Sequence, residues 1–282
     1  MIRDDGRSVE ELRPITLVYE RLDRVDGSAR FGFGQTQAVA SVSGPIEVRA
    51  NLESPSQATL DIHIRPLASV PGTDSRAFAT ILKTVLSPSL YLSHHPRTLV
   101  QLVGQALCGS ESGSGSGTVG RGWNSAIMAS LINACSAAFI NAGSMPMRGV
   151  VCAVSIGRLP GEDDDATILV LDPSETELSK LRGGGCFAFL FSFSTSPSQA
   201  EDDIPGVSLL WRNYAASDGT FDEAEFARAQ SLACQGATEI WKTMKKSLEG
   251  NIDGLLNKTQ TAKPPPGVPI HVDEDDDEKM EI

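Results

Sequence analysis

Residues 125–141 place the strongest constraint on how this chain can fold. Ala126, Ile127, Ala129, Leu131, Ile132, Ala134, Cys135, Ala138 and Phe139 make this helical stretch apolar on nearly every side. A helix of that kind needs cover all round, so it belongs in the middle of the molecule rather than on its surface. Gly143 supplies a left-handed cap at its end, and Met145-Pro146-Met147-Arg148 then turns the chain into a new strand.

The covering layers are read as strands. Residues 26–49 open with the small-residue turn Asp26-Gly27-Ser28-Ala29 and continue as two short β runs divided by glycine. The second run, residues 36–43, is expected to stop at Gly44-Pro45. Residues 58–65 alternate apolar and polar, as a strand with one face in a core does. Residues 74–86 read as a helix capped by Ser75, with Phe78, Ile81, Leu82 and Val85 on one face. Strands are expected at 99–108, 149–157, 167–171, 186–194 and 207–214, with Gly183-Gly184-Gly185 bounding the fourth of these. An amphipathic helix follows over 222–246. The order gives an α+β chain in two subdomains: 1–148, with a flexible Gly/Ser insertion at 109–122; 149–250, with an acidic Ser/Pro insertion at 195–206; and a disordered acidic tail at 251–282.

Charge narrows the partners. The net charge of −12 speaks against wholesale nucleic-acid binding, but runs such as residues 162–165, 201–203 and 271–278 carry much of it. Without them the body is close to neutral and leaves room for a local basic groove. Five cysteines, far apart and in mostly apolar surroundings, read as reduced thiols of an intracellular protein, and neither they nor the four histidines have metal-ligand spacing. No metal or cofactor is expected. No apolar run approaches the ~20 residues of a membrane span and the N-terminus has no signal-peptide pattern, so no membrane partner is expected either.

Several motifs in succession carry a resemblance. Asp26-Gly-Ser-Ala-Arg-Phe, Gly34-Gln-Thr-Gln-Ala-Val, Ser43-Gly-Pro-Ile-Glu-Val-Arg, Pro96-Arg-Thr and Asn141-Ala-Gly-Ser-Met-Pro-Met-Arg148 resemble the ribonuclease PH family, and within it the ring subunits of the eukaryotic RNA exosome. The resemblance covers residues ~10–250 and implies the ribonuclease PH fold, with β-α-β layers like ribosomal protein S5 domain 2. Active members of the family use phosphate to release the 3′-terminal nucleotide as a diphosphate. That chemistry needs cations on two phosphoryl groups and a carboxylate pair, usually with a divalent metal, near the leaving oxygen.

Those parts are incomplete here. Where active relatives place an Arg-Thr pair at the start of the buried helix, this chain has Trp123 and Asn124, with Arg121 two residues early. Of two carboxylates six residues apart, Asp172 matches the first and Leu178 replaces the second, with Glu175 and Glu177 out of register. Arg97 and Arg76 fall at or near arginines that contact RNA in active relatives and are candidate phosphate contacts. The resemblance therefore implies a non-catalytic ring subunit that helps thread single-stranded RNA. Its implied partners are other ribonuclease PH-like ring subunits, RNA-binding cap subunits and an associated hydrolytic nuclease. The implied setting is the nucleus and nucleolus, and also the cytoplasm. Two competitors stay open: an active phosphate-dependent exoribonuclease using Asp172, Glu177 and Arg121 in a displaced arrangement, and a free-standing nucleic-acid-binding protein.

Overall fold

The first sheet is built from β1 (Ile15–Glu20), β2 (Gly27–Phe33), β3 (Thr36–Glu47), β4 (Thr59–Arg65) and β5 (Thr98–Ala106), in the order β1-β2-β3-β5-β4. All neighbours are antiparallel except β4 and β5, which are parallel and joined by a crossover through α1 (Thr73–Leu86). These coordinates, a computed structural model, describe residues 3, 5–67, 70–108, 124–161, 167–192, 205–217 and 220–261, with 250–261 as backbone only. Burial alternates along β3, β4 and β5, so one face of this sheet lies in the core. From that face Ala38, Ala40, Val42, Leu60, Ile62, Val100 and Leu102 enter the apolar cluster.

The helix α2 (Ser125–Ala142) lies on β2 and β3 and meets β6 (Val150–Pro160) and β8 (Gly183–Ser192) of a second sheet. Every residue from Ala126 to Phe139 is buried, as its composition requires. The small side chains along it permit close approach: a Cβ on Gly27 would stand 2.3 Å from the Ala142 nitrogen. Asn124 caps the helix by accepting from the Ala126 N–H at 3.0 Å, and Gly143 closes it at φ +61°. By length and hydropathy α2 would also pass for a membrane span, but here it is a core helix, 78% buried.

The second sheet runs β7 (Thr167–Leu171)–β6–β8–β9 (Gly206–Ala216), all antiparallel. Nearly every residue of β6 is buried, because α2 covers one face and α4 (Glu223–Thr261) the other. The inward residues of α4 are Ala229, Ala233, Ala237, Ile240, Trp241 and Met244, with the Trp241 indole stacked on Phe191 at 5.9 Å. One continuous apolar cluster joins both sheets, α1, α2 and the first part of α4, and residues 1–245 form one compact unit. The second unit, 246–282, is described only as helix as far as Thr261.

Several boundaries differ from those expected. β3 does not stop at Gly44-Pro45 but continues to Glu47 with a register shift between Ser43 and Ile46. The Gly44 N–H is held by the Asp26 carboxylate at 2.6 Å, so an irregularity replaces the break. Ser75 is no cap: it lies buried inside α1, which starts after Gly72. The three glycines at 183–185 belong to β8 rather than bounding it, because β9 and β6 come too close for side chains there. A Cβ on Gly185 would stand 1.6 Å from the Asn213 carbonyl oxygen. α4 runs past Lys246 to Thr261, so residues 251–261, expected to be disordered tail, are helical. The insertion at 109–122, most of that at 195–206 and the tail from 262 onward lie outside the described residues.

Asn133 is the polar exception within α2. β7 pairs only with Ile156–Pro160, and at Ala153 the Asn133 amide supplies both missing backbone partners. Its Nδ2 donates to the Ala153 carbonyl at 2.8 Å and its Oδ1 accepts from the Ala153 N–H at 2.7 Å. Asn133→Leu leaves both buried groups unpaired and should lower stability by about 2–4 kcal/mol, read as a drop in the urea midpoint with an unchanged slope.

Candidate functional site: a carboxylate pocket closed by arginines

At the end of β7 the chain turns sharply through Asp172-Pro173 into α3 (Glu175–Leu178). Asp172 sits at φ +47°, unusual for a non-glycine residue, and its N–H donates to the Ser155 carbonyl at 2.9 Å. Its side chain is fully buried. Arg13, just ahead of β1, grips it from two sides: Nη2 donates to Oδ1 at 2.6 Å and Nε to Oδ2 at 2.7 Å. The Arg13 backbone N–H adds a third bond to Oδ2 at 3.1 Å, and the Arg7 guanidinium stands 3.9 Å away. The Asp172 carbonyl in turn accepts from Arg3 at 3.0 Å and Arg7 at 3.2 Å. Planar guanidinium against carboxylate is the strongest pairing available to such groups, and it occupies both oxygens of Asp172.

Glu177 is committed in the same manner. Arg3 Nε donates to Oε1 at 2.8 Å, a second Arg3 nitrogen reaches Oε2, and the Ser174 N–H donates to Oε2 at 2.7 Å in a capping box. Burial pushes this carboxyl up, but Arg3 and the Ser174 N–H outweigh it and hold it below the usual carboxylate range. Burial likewise lowers Arg3, and Glu177 more than restores it, so the guanidinium titrates above its ordinary value. Arg13 also donates to Thr36 Oγ1 at 2.9 Å, and the Thr36 carbonyl lies 3.4 Å from Ser130 Oγ in α2. One arginine thereby links Asp172 to the first turns of the buried helix.

Asn124, expected from the resemblance at the position of a phosphate-binding turn, is buried and spends its side chain on capping α2. Trp123 and Arg121 lie outside the described residues. Leu178 packs in a small apolar cluster with Leu159, Val170, Leu181 and Val9. Arg97 and Arg76 are not part of this pocket. Arg97 sits at φ +59° with its side chain 70% exposed, 3.4 Å from Glu53. Arg76 is exposed in the first turn of α1. The residues that sequence reasoning missed are Arg3, Arg7 and Arg13. They stand in a polar N-terminal segment with no periodicity, and their partners lie about 160 or more residues away along the chain. Among the described residues no three His, Cys, Asp or Glu side chains come together as a metal set. The five thiols are unpaired, and burial pushes Cys135 up to about 12.

Residues 11–145 match the family "3′ exoribonuclease family, domain 1". The chain is 29% identical over 256 residues to the exosome complex exonuclease RRP46 homolog of Oryza sativa, covering 89% of this chain and 98% of that protein. It is 28% identical over 256 residues to the exosome complex component Rrp41 of Archaeoglobus fulgidus, covering 88% and 86%. The crystal structure of rice Rrp46 superposes with a TM-score of 0.66 at 23% identity, covering 87% of this chain and all of that one. A chain of an archaeal exosome core gives 0.62 at 18% identity, covering 86% and 91%. The α+β ribonuclease PH fold expected from the motifs is thus shown.

Arg13→Met strands a buried carboxylate and should cost about 3–5 kcal/mol, whereas Arg13→Met with Asp172→Leu should cost less than the single change; urea titration of both variants checks this. Glu177 gives a pH signature. Because its folded pKa lies below the unfolded value of about 4.3, its contribution is complete above that value and is lost as pH falls through the depressed one. Between pH 5 and pH 3 the Glu177→Gln variant should therefore lose less stability than the parent chain does, measured by urea midpoints across that window.

Proposed function

We propose that this chain is a non-catalytic structural subunit of an RNA exosome ring. In that role it helps form the channel that threads single-stranded RNA toward 3′–5′ processing and degradation. The observation that carries this reading is the Asp172 carboxylate, whose two oxygens are both taken up by Arg13. A metal-holding acid must present an oxygen to the cation, and here the side chain is fully buried with both oxygens against guanidinium and backbone N–H donors. The partner position is Leu178, and Glu177, the nearest acid, is bound to Arg3 and to the turn that it caps. The relatives' names support the setting, since both describe components of an exosome complex.

On this reading the partners are other ribonuclease PH-like ring subunits, RNA-binding caps and an associated hydrolytic nuclease. The place of action is the nucleus and nucleolus, and also the cytoplasm. Arg97 and Arg76, both exposed, remain phosphate contacts for the threaded strand in this proposal.

The test is phosphorolysis of 5′-labelled single-stranded RNA with inorganic phosphate and magnesium, on the chain alone and on the assembly that co-purifies with it. The expected outcome is no nucleoside diphosphate release attributable to this chain, unchanged in Asp172→Ala, together with a hetero-oligomeric mass by native mass spectrometry. Phosphate-dependent release that vanishes in Asp172→Ala would make the chain an enzyme. A monomer or homo-oligomer with no ring partners would favour a free-standing RNA-binding protein.

A further inference from the structure

Among the described residues several arginines are already committed to carboxylates. Arg3, Arg13 and Arg158 are buried against Glu177, Asp172 and Glu225, and Arg30 is paired with Glu20. Lys83 and Arg148 differ: both are exposed, and among the described residues neither has a carboxylate partner within ion-pair distance. They line one groove of about 410 Å³, together with Ser54, Gln57, Tyr91 and Ser93.

This groove has a built wall. The backbone of Ser89 and Tyr91 is clamped to that of Pro146 and Arg148: Tyr91 N–H donates to the Pro146 carbonyl at 3.0 Å, and Arg148 N–H donates to the Ser89 carbonyl at 2.7 Å. That pairing sets the Arg148 guanidinium over the Tyr91 ring at 5.2 Å. A 3-10 turn follows (Leu92–His94), its His94 N–H bonded to the Tyr91 carbonyl at 3.2 Å. It lays the His94 imidazole parallel to the Tyr91 ring, 5.2 Å away at an interplanar angle of 13°. Both the Arg148 guanidinium and the exposed His94 imidazole thus rest against the Tyr91 ring. The groove also adjoins the Arg97 loop, since the Arg97 N–H donates to the carbonyl of Ser54 in its wall.

We infer that this groove is a binding site for single-stranded RNA, with backbone phosphates held by Arg148 and Lys83 and a base stacked on the exposed His94, next to the lining residue Ser93. Uncommitted cations beside a fixed flat ring are the combination that single-strand binders use, with cations tracking the phosphates and rings taking bases of any sequence. An acidic peptide would use the cations but has no need of the ring stack. This site rests on the RNA-threading reading and extends it away from the Asp172 pocket, past Arg97, to a surface on the crossover between α1 and β5.

The experiment is fluorescence anisotropy with a labelled single-stranded RNA of about 20 nucleotides, on the full chain and on its co-purified assembly, across a salt series. Lys83→Ala with Arg148→Ala should weaken binding about tenfold. It should also flatten the slope of log affinity against log salt by about 1.4, the value for two phosphate contacts on a single strand. His94→Ala should weaken binding several-fold and His94→Phe should restore it, which a mere loss of charge or fold would not do. Normal RNA binding by the double variant and by His94→Ala would overturn the site while leaving the threading reading intact. No RNA binding by the parent chain or its assembly would overturn both. Loss of ring partners with RNA binding unchanged would make the groove a protein contact and overturn the site.

Discussion

A helix apolar on every side cannot rest on a surface, and the other layers of this protein are arranged around that fact. The small residues of α2 let two sheets approach it closely, from opposite sides, and the second sheet then needs α4 on its far face. The first sheet, buried on one face only, shows alternating burial, while β6 is buried along nearly its whole length. Asn133 shows what this geometry demands of polar groups. A strand end that β7 does not reach must find its hydrogen bonds on the helix itself.

The same economy governs the pocket at Asp172. A buried acid is tolerated only when its charge is matched, and Arg13, with help from Arg7, matches it. In doing so these arginines tie the N-terminal segment to an element encoded about 160 residues later. Asp172 thus acts as part of a clasp between the N-terminal segment and the second sheet. The clasp needs only the one carboxylate, and Leu178 packs nearby in a small apolar cluster.

The sequence made the layers legible because their signals are local. All-round apolarity marked α2, alternation marked β4, and Gly143 marked a helix end that the structure reproduces at φ +61°. Boundaries failed where the deciding contact is distant. The glycines at 183–185 look like a loop until β6 and β9 are brought against them, and Gly44-Pro45 looks like a stop until Asp26 and β5 hold it in the sheet. In the candidate site, Asp172 and Leu178 were singled out through the motif resemblance. Arg3, Arg7 and Arg13 were not, since a guanidinium in a polar leader has the same local signal whether it ends in solvent or in a buried ion pair.

Partner geometry also separates two kinds of surface on this molecule. An arginine already bound bidentately to a buried carboxylate has little left to offer a phosphate, whatever its position in an alignment. Arg148 keeps its guanidinium uncommitted to any carboxylate among the described residues and fixed over a ring, so the ordering entropy of a long side chain is largely spent before a ligand arrives. Arg97, exposed and 3.4 Å from Glu53, lies between these cases: its pairing is solvent-screened and weak, and a phosphate can displace it at little cost. The uncommitted or weakly paired cations therefore stand in the loops around Tyr91 and Arg97, while the Asp172 carboxylate is tied up in a buried ion pair.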